Sequence, residues 1–203
     1  HEDGAALQEI LERRRAGGRP RPLIYAGFGS FFTTDLGFLR RLIDGLANGQ
    51  WEVVVSLGGR LDPAALGPLP SGVHAFSWVP QVRVLQHADV SVNHGAITTV
   101  DECVVCGVPV LAYCGFETDM PGTTARVVHH GLGIAGDRTH DTPEVIRGHV
   151  VRLLTEERYR DTVARFRARY ARYAEDRVAE RVVESLLGST PGAGGRETRG
   201  DGP

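Results

Sequence analysis

Short apolar runs alternate with segments of helical period along most of the chain. Pro22 to Phe28, Trp51 to Leu57, Val73 to Phe76, Val90 to Val92, Val108 to Tyr113 and Leu132 to Ala135 are each nearly uninterrupted in apolar character, the pattern of strands covered on both faces. Between them, apolar residues recur at three- and four-residue spacing. This predicts helices over 3–16, over 34–47 with Thr33 or Thr34 as cap, and over 82–87 behind Pro80. Further helices are predicted from Thr98, over 123–131 closed by Gly131, and from Pro143 to Leu154 with Thr142 as cap. Residues 156–187 place Tyr159, Val163, Phe166, Tyr170 and Tyr173 at helical spacing among arginines and acids, a long surface helix with one buried stripe. Strand–helix alternation of this kind predicts an α/β fold, a doubly wound parallel Rossmann-like sheet with its ligand at the C-terminal strand ends.

The domain reading follows from the same pattern. Residues 1–21 form an N-terminal helix and linker, and residues 22–187 the binding domain. Residues 188–203, rich in Gly, Pro, Ser, Thr and charge, are expected to be a disordered tail.

Composition narrows the chemistry. The 203 residues carry a net charge of −2, which points to neither a nucleic-acid nor a membrane-surface partner. All 23 basic residues are arginine, so a Walker A loop, a Schiff-base lysine and a kinase-type lysine are excluded. Three cysteines, an odd number, argue against a disulfide framework and for a cytoplasmic protein. Cys103 and Cys106 form a C-x-x-C inside a predicted helix with no second pair, which reads as core packing. No signal peptide or membrane-length apolar run occurs. The chain begins with His1 and holds a single methionine, Met120, and so reads as a piece of something longer.

The candidate chemistry lies just after the predicted strands. After the fourth, His94-Gly95-Ala96 turns into a helix whose first N–H groups have no partner and whose dipole favours an anion. Gly95 and Ala96 admit that anion to the backbone, Thr98 and Thr99 add hydroxyls, and His94 adds an imidazole N–H. Glu102 lies one turn further on, about 6 Å along the axis, where its carboxylate can accept from vicinal hydroxyls such as those of a ribose. After the first strand, Gly27-Phe28-Gly29-Ser30 lacks the third glycine of a dinucleotide fingerprint, and no acid ends the second strand. Trp78 stands between a strand and a proline-opened helix and offers a flat face to a nucleobase, with Gln81 one turn on. Each of these has a bland counterpart: a structural histidine, a dipole-stabilised glutamate, a packed tryptophan. Their combination describes a diphosphate attached to a ribose and base.

The combination Trp78-Val79-Pro-Gln81, His87, His94-Gly95 and Glu102, then Gly107-Val-Pro-Val, Asp119, Ala125-Arg126-Val and Gly131-Leu-Gly133, resembles the UDP-glycosyltransferase superfamily of two-domain GT-B fold. The likeness runs from about Pro22 to Leu187 and is closest in kind to bacterial natural-product and macrolide enzymes. It covers only the C-terminal, donor-binding half. The resemblance implies that Trp78 stacks the base beside Val79, that Gln81 lies near the ribose, and that Glu102 holds the ribose hydroxyls. It implies that Gly29, Ser30, His94, Gly95 and the backbone from Ala96 to Thr99 hold the diphosphate, while Asp119 and Met120 face the sugar. His94 would then be catalytic, because the diphosphate is the leaving group. No metal or cofactor is implied; the nucleotide sugar, UDP- or dTDP-linked, is the substrate.

Three positions depart from the pattern. Ala96 stands where a second glycine is usual, Thr98 where asparagine is usual, and Met120 where glutamine is usual, which removes hydrogen-bonding capacity from the sugar pocket. The family's acceptor site and catalytic base belong to an N-terminal domain. The expectation is therefore the donor half of an inverting transferase acting on a small-molecule acceptor, inactive alone. The alternative is a non-catalytic nucleotide-sugar-binding module or auxiliary subunit.

Overall fold

The computed structural model describes residues 2–16, 21–29, 35–115 and 119–188. Six strands form one sheet: β1 Leu23–Gly27, β2 Glu52–Ser56, β3 Val73–Phe76, β4 Val90–Asn93, β5 Val110–Ala112 and β6 Gly133–Ala135. Their spatial order is β3-β2-β1-β4-β5-β6, and every neighbouring pair is parallel. The doubly wound parallel sheet expected from the sequence is thus present. The chain winds outward from β1 to β3, then returns across β1 to lay down β4 on its other side. The strand order reverses between β1 and β4, and a crevice opens at their C-terminal ends.

Alternation along the strands divides the sheet into two faces. On one, Ile24, Ala26, Val53, Val55, Val90 and Val92 pack against α2 (Leu36–Leu46) and α6 (Pro143–Thr155) through Phe38, Leu42, Ile146 and Val150. The helices approach closely at Gly45, where a Cβ would lie 2.8 Å from the Pro143 carbonyl oxygen and 2.9 Å from the Ile146 Cβ. On the other face Tyr25 and Ser91 share a register row beneath α3 (Gln81–Leu85) and α4 (Ile97–Cys106). Helix α5 (Met120–His129) continues that face. Helix α1 (Glu2–Ala16) buries Leu7, Ile10 and Leu11, and its Gln8 accepts a hydrogen bond from Arg83 of α3.

Several local expectations are corrected. Helix α2 is capped by Asp35, whose Oδ1 accepts from the Phe38 N–H at 2.9 Å; the expected caps Thr33 and Thr34 lie outside the described residues. Helix α5 begins at Met120, three residues before the predicted start, because Pro121 suits a first turn that needs no N–H. A 3₁₀ turn, Pro63–Leu66, capped by Asp62, occupies what read as plain loop.

The largest correction concerns 156–187, which is not one helix. It is α7 (Glu157–Glu175) followed by α8 (Val178–Gly188), parted by Asp176 and by Arg177 at φ 49°. Tyr159 and Val163 are buried as expected, but Tyr173 is half exposed, so the buried stripe stops early. The chain divides into two compact units, 1–168 and 169–203. In the second, Val182, Val183, Leu186 and Leu187 of α8 are all exposed. The expected tail beyond Gly188 lies outside the described residues.

Candidate functional site

The turn after β4 is built by Asn93. Its Oδ1 accepts from the Gly95 N–H at 2.9 Å, and its Nδ2 donates to the Ser91 hydroxyl at 3.0 Å. Gly95 has φ +76°, and Thr124 Oγ1 occupies the place a Cβ would need, so this position takes only glycine. The turn delivers Ala96 as N-cap of α4. No side chain caps the helix and no acid lies in its first turn, so its leading N–H groups face the crevice without a protein acceptor at the cap. Thr98 is exposed beside them, whereas Thr99 is buried.

His94 stands at the crevice itself. It is 9% exposed, and a Cβ on Gly29, itself at φ +62°, would lie 3.3 Å from its Cε1. Burial depresses the imidazole pKa, an effect opposed by a hydrogen bond to the Gly27 carbonyl and by the charge of Asp119, and reinforced by Arg138. The ring is therefore neutral at pH 7, and its one N–H is taken by the Gly27 carbonyl; a second N–H appears only on protonation. Arg138 is held by Asp35 at 3.5 Å and lies 5.0 Å from the Phe38 ring centroid.

On the other side of β1 a cleft of about 310 Å³ opens above the strand ends. Its floor is Tyr25 and Gly27 of β1 with Ser56 of β2, and its wall is Trp78, Val79 and Gln81 after β3. Gly29 and Gly58 complete the rim. Trp78 is 62% exposed while the adjacent Val79 is buried, so the indole is not a core side chain. Gln81 and Glu102, predicted to serve the same ribose, meet directly: Gln81 Nε2 donates to Glu102 Oε2.

Of the residues expected to face a sugar, Asp119 is exposed and lies close enough to act on the charge of His94, while Met120 is buried as the first residue of α5. Ser30 lies outside the described residues. Cys103 is fully enclosed and its thiol is pushed up to about 12 by burial, the behaviour of a packing residue rather than a nucleophile. Among the described residues no group of three or more His, Cys, Asp or Glu side chains is placed to hold a metal ion, and no helix is long and apolar enough to cross a membrane. Sequence reasoning missed Tyr25, Ser56 and Arg138. For Tyr25 a signal existed, since a phenol in an otherwise aliphatic buried strand needs a hydrogen-bond partner.

A reversal point in a parallel sheet, with a glycine turn, an uncapped helix start and an exposed indole around it, is the architecture of a doubly wound α/β domain. Residues 40–186 match the family described as Erythromycin biosynthesis protein CIII-like, C-terminal domain, and the chain belongs to that family of glycosyltransferase C-terminal domains. It is 34% identical over 168 residues to demethyllactenocin mycarosyltransferase of Streptomyces fradiae, covering 82% of this chain and 36% of that protein. It is 27% identical over 184 residues to oleandomycin glycosyltransferase of Streptomyces antibioticus, covering 87% and 42%. The crystal structure of the calicheamicin glycosyltransferase CalG4 superposes with a TM-score of 0.78 at 33% identity, over 86% of this chain and 44% of that one. The chain thus spans about two fifths of the length of the curated relatives it matches.

Proposed function

We propose that this domain binds the nucleotide-sugar donor, UDP- or dTDP-linked, of an inverting glycosyltransferase that modifies a small-molecule acceptor in the cytoplasm. The observation that carries the reading is that Gly29, on the rim of the cleft walled by Trp78, also lies against His94, which leads into the start of α4. An exposed indole opens on one side of Gly29, and neutral His94 with uncapped helix N–H groups lies on the other. A base stacked on Trp78 puts its ribose at Gln81 and Glu102 and its diphosphate at His94, Gly95, Ala96, Thr98 and Thr99.

In that arrangement the acceptor oxygen forms its bond to the anomeric carbon as the bond to the diphosphate breaks. The negative charge that builds on the leaving oxygen meets the N-terminus of α4, a donor already in place before reaction, and the second N–H that His94 gains as the diphosphate favours its charged form. Exposed Asp119, whose charge acts on His94, is assigned to the sugar hydroxyls, and buried Met120 has no hydrogen to donate to them. The acceptor proton goes to a base on an N-terminal acceptor domain. The relatives' names speak of mycarosyl transfer and of oleandomycin glycosylation. Those substrates are theirs, and the acceptor class here is inferred from kinship.

Calorimetric titration of UDP and dTDP against the chain and its His94→Ala variant tests the donor site. A loss of ten- to a hundred-fold is expected, equivalent to about 1.5–3 kcal/mol for a hydrogen bond to a charged group. Equal affinities remove His94 from the diphosphate. Turnover of nucleotide sugars by the chain alone, on the order of 1 s⁻¹, would remove the need for a second domain.

A further inference from the structure

Tyr25 is the one polar side chain in β1, and it lies in the floor of the cleft. Its ring is buried, and its hydroxyl lies under Gly27, where a Cβ would come within 2.5 Å of it. Gly27 is thereby the gap through which a strand side chain reaches the strand's own C-terminal end. The hydroxyl donates to Gln81 Oε1 at 3.0 Å, and Gln81 Nε2 donates to Glu102 Oε2. Behind it the Ser56 hydroxyl bonds to the Tyr25 oxygen. Four elements, β2, β1, α3 and α4, are joined by one line of hydrogen bonds.

The direction of that line has only one consistent solution. Glu102 as a carboxylate can only accept, so Gln81 must turn its NH₂ toward it and its carbonyl toward Tyr25. Tyr25 must then donate, and its remaining lone pairs take the Ser56 hydroxyl. Burial, the largest influence on this phenol, holds it protonated throughout the working pH range, so the donor is never lost. Gln81 is left with one N–H for an acceptor on the ligand, and Glu102 with one free oxygen for a ligand hydroxyl.

We propose that Tyr25 is a positioning residue of the donor site: its hydroxyl locks the Gln81 amide in one orientation and, through it, aims the Glu102 carboxylate at the ribose. The proposal rests on the donor-site reading above. Without the hydroxyl, the Gln81 carbonyl loses its donor, the amide is free to turn over, and the carboxylate loses the group that holds it.

Tyr25→Phe keeps the ring that packs the strand and removes only the hydroxyl. The 203-residue chain and the variant are titrated with dTDP, with 3′-deoxythymidine diphosphate and with inorganic pyrophosphate, which probes the His94 and α4 end alone. The expected result is a five- to twenty-fold loss for dTDP and an unchanged pyrophosphate affinity. The wild type's preference for the 3′-hydroxyl should also shrink toward unity. Introducing Tyr25→Phe into a Gln81→Met background should then cost nothing further, the signature of two residues acting as a unit.

Should Tyr25→Phe fail to fold, Ser56→Ala, one step back along the line, should show the same pattern at a smaller size. An equal loss of dTDP and pyrophosphate binding overturns the proposal in favour of general loosening. Unchanged dTDP binding in Tyr25→Phe, or in Ser56→Ala if that is the variant used, overturns it while leaving the donor site standing. A wild type that binds none of the three ligands overturns both readings.

Discussion

Gly29 and His94 face each other across the reversal point of the sheet, with the glycine Cα turned so that a Cβ would lie 3.3 Å from the imidazole Cε1. At φ +62° the glycine is also in a backbone region that a side chain resists. Gly29→Ala should therefore do two things at once. Strain costs about 1 kcal/mol of stability, read as a lower Tm. Displacement of the imidazole weakens diphosphate binding several-fold, read by calorimetry with pyrophosphate. A variant with lowered Tm and unaltered pyrophosphate affinity would show that Gly29 serves the loop and not the histidine.

The pH dependence of binding follows from the same histidine. Burial holds the free-state pKa below the ordinary value, so the imidazole is neutral near pH 7. A diphosphate arriving beside it favours the charged form and raises the pKa in the complex. Binding then takes up a proton between the two values, and affinity should fall as pH rises through that window, from the depressed free-state value upward. His94→Gln should flatten this slope. In the free chain the sign is opposite to that of a salt-bridged histidine: neutral burial contributes stability above the unfolded pKa of about 6.5, and that contribution is lost as pH falls. Urea midpoints at pH 5.5 and 7.5 should converge in His94→Gln relative to the wild type.

Trp78 separates binding from folding. With 62% of its surface already exposed, Trp78→Ala removes little buried area and should leave Tm nearly unchanged. If a base stacks on the indole, the same change costs about 1–3 kcal/mol in nucleotide affinity, roughly ten- to a hundred-fold. Pyrophosphate, which has no base, should bind the variant as it binds the wild type. Substantial unfolding would instead assign Trp78 to packing.

Gly45 gives a test of the core with an inverted sign. In an exposed helix interior, glycine to alanine is stabilising by up to about 1 kcal/mol. Here the added Cβ meets the Pro143 carbonyl at 2.8 Å and the Ile146 side chain at 2.9 Å, and a backbone oxygen cannot step aside. Gly45→Ala should push α2 from α6 and destabilise by about 1–3 kcal/mol, the usual cost of overpacking. Thermal unfolding decides the sign.

How much could be read before the structure differs from element to element. The six strands were legible because a parallel sheet buried on both faces leaves uninterrupted apolar runs, and Val73–Phe76 appears with the bounds the pattern predicts. The cap of α6 was legible because Thr142 followed by Pro143 is a local chemical signal, and Thr142 does accept from Val145 at 3.4 Å. The break between α7 and α8 was not. Asp176-Arg177 contains neither glycine nor proline, and a positive φ at an arginine has no signature in side-chain polarity.

The site divides along the same line. His94-Gly95-Ala96 and the helix behind it follow from neighbours in the chain, because a strand, a turn and a helix N-terminus are local structures. The sequence by itself thus determined the strands, the turn and the helix start behind it. Tyr25, Gln81 and Glu102 are separated by 56 and 21 positions, and their hydrogen bonds exist only because β1 lies between β2 and β4 with α3 and α4 laid over it. The burial that keeps His94 neutral, the overlap of Thr124 with the missing Cβ of Gly95, and the exposure of Trp78 likewise depend on what the fold brings from elsewhere. Tertiary structure alone decided these, because burial and orientation are properties of a neighbourhood and a side chain carries only the capacity to respond to it.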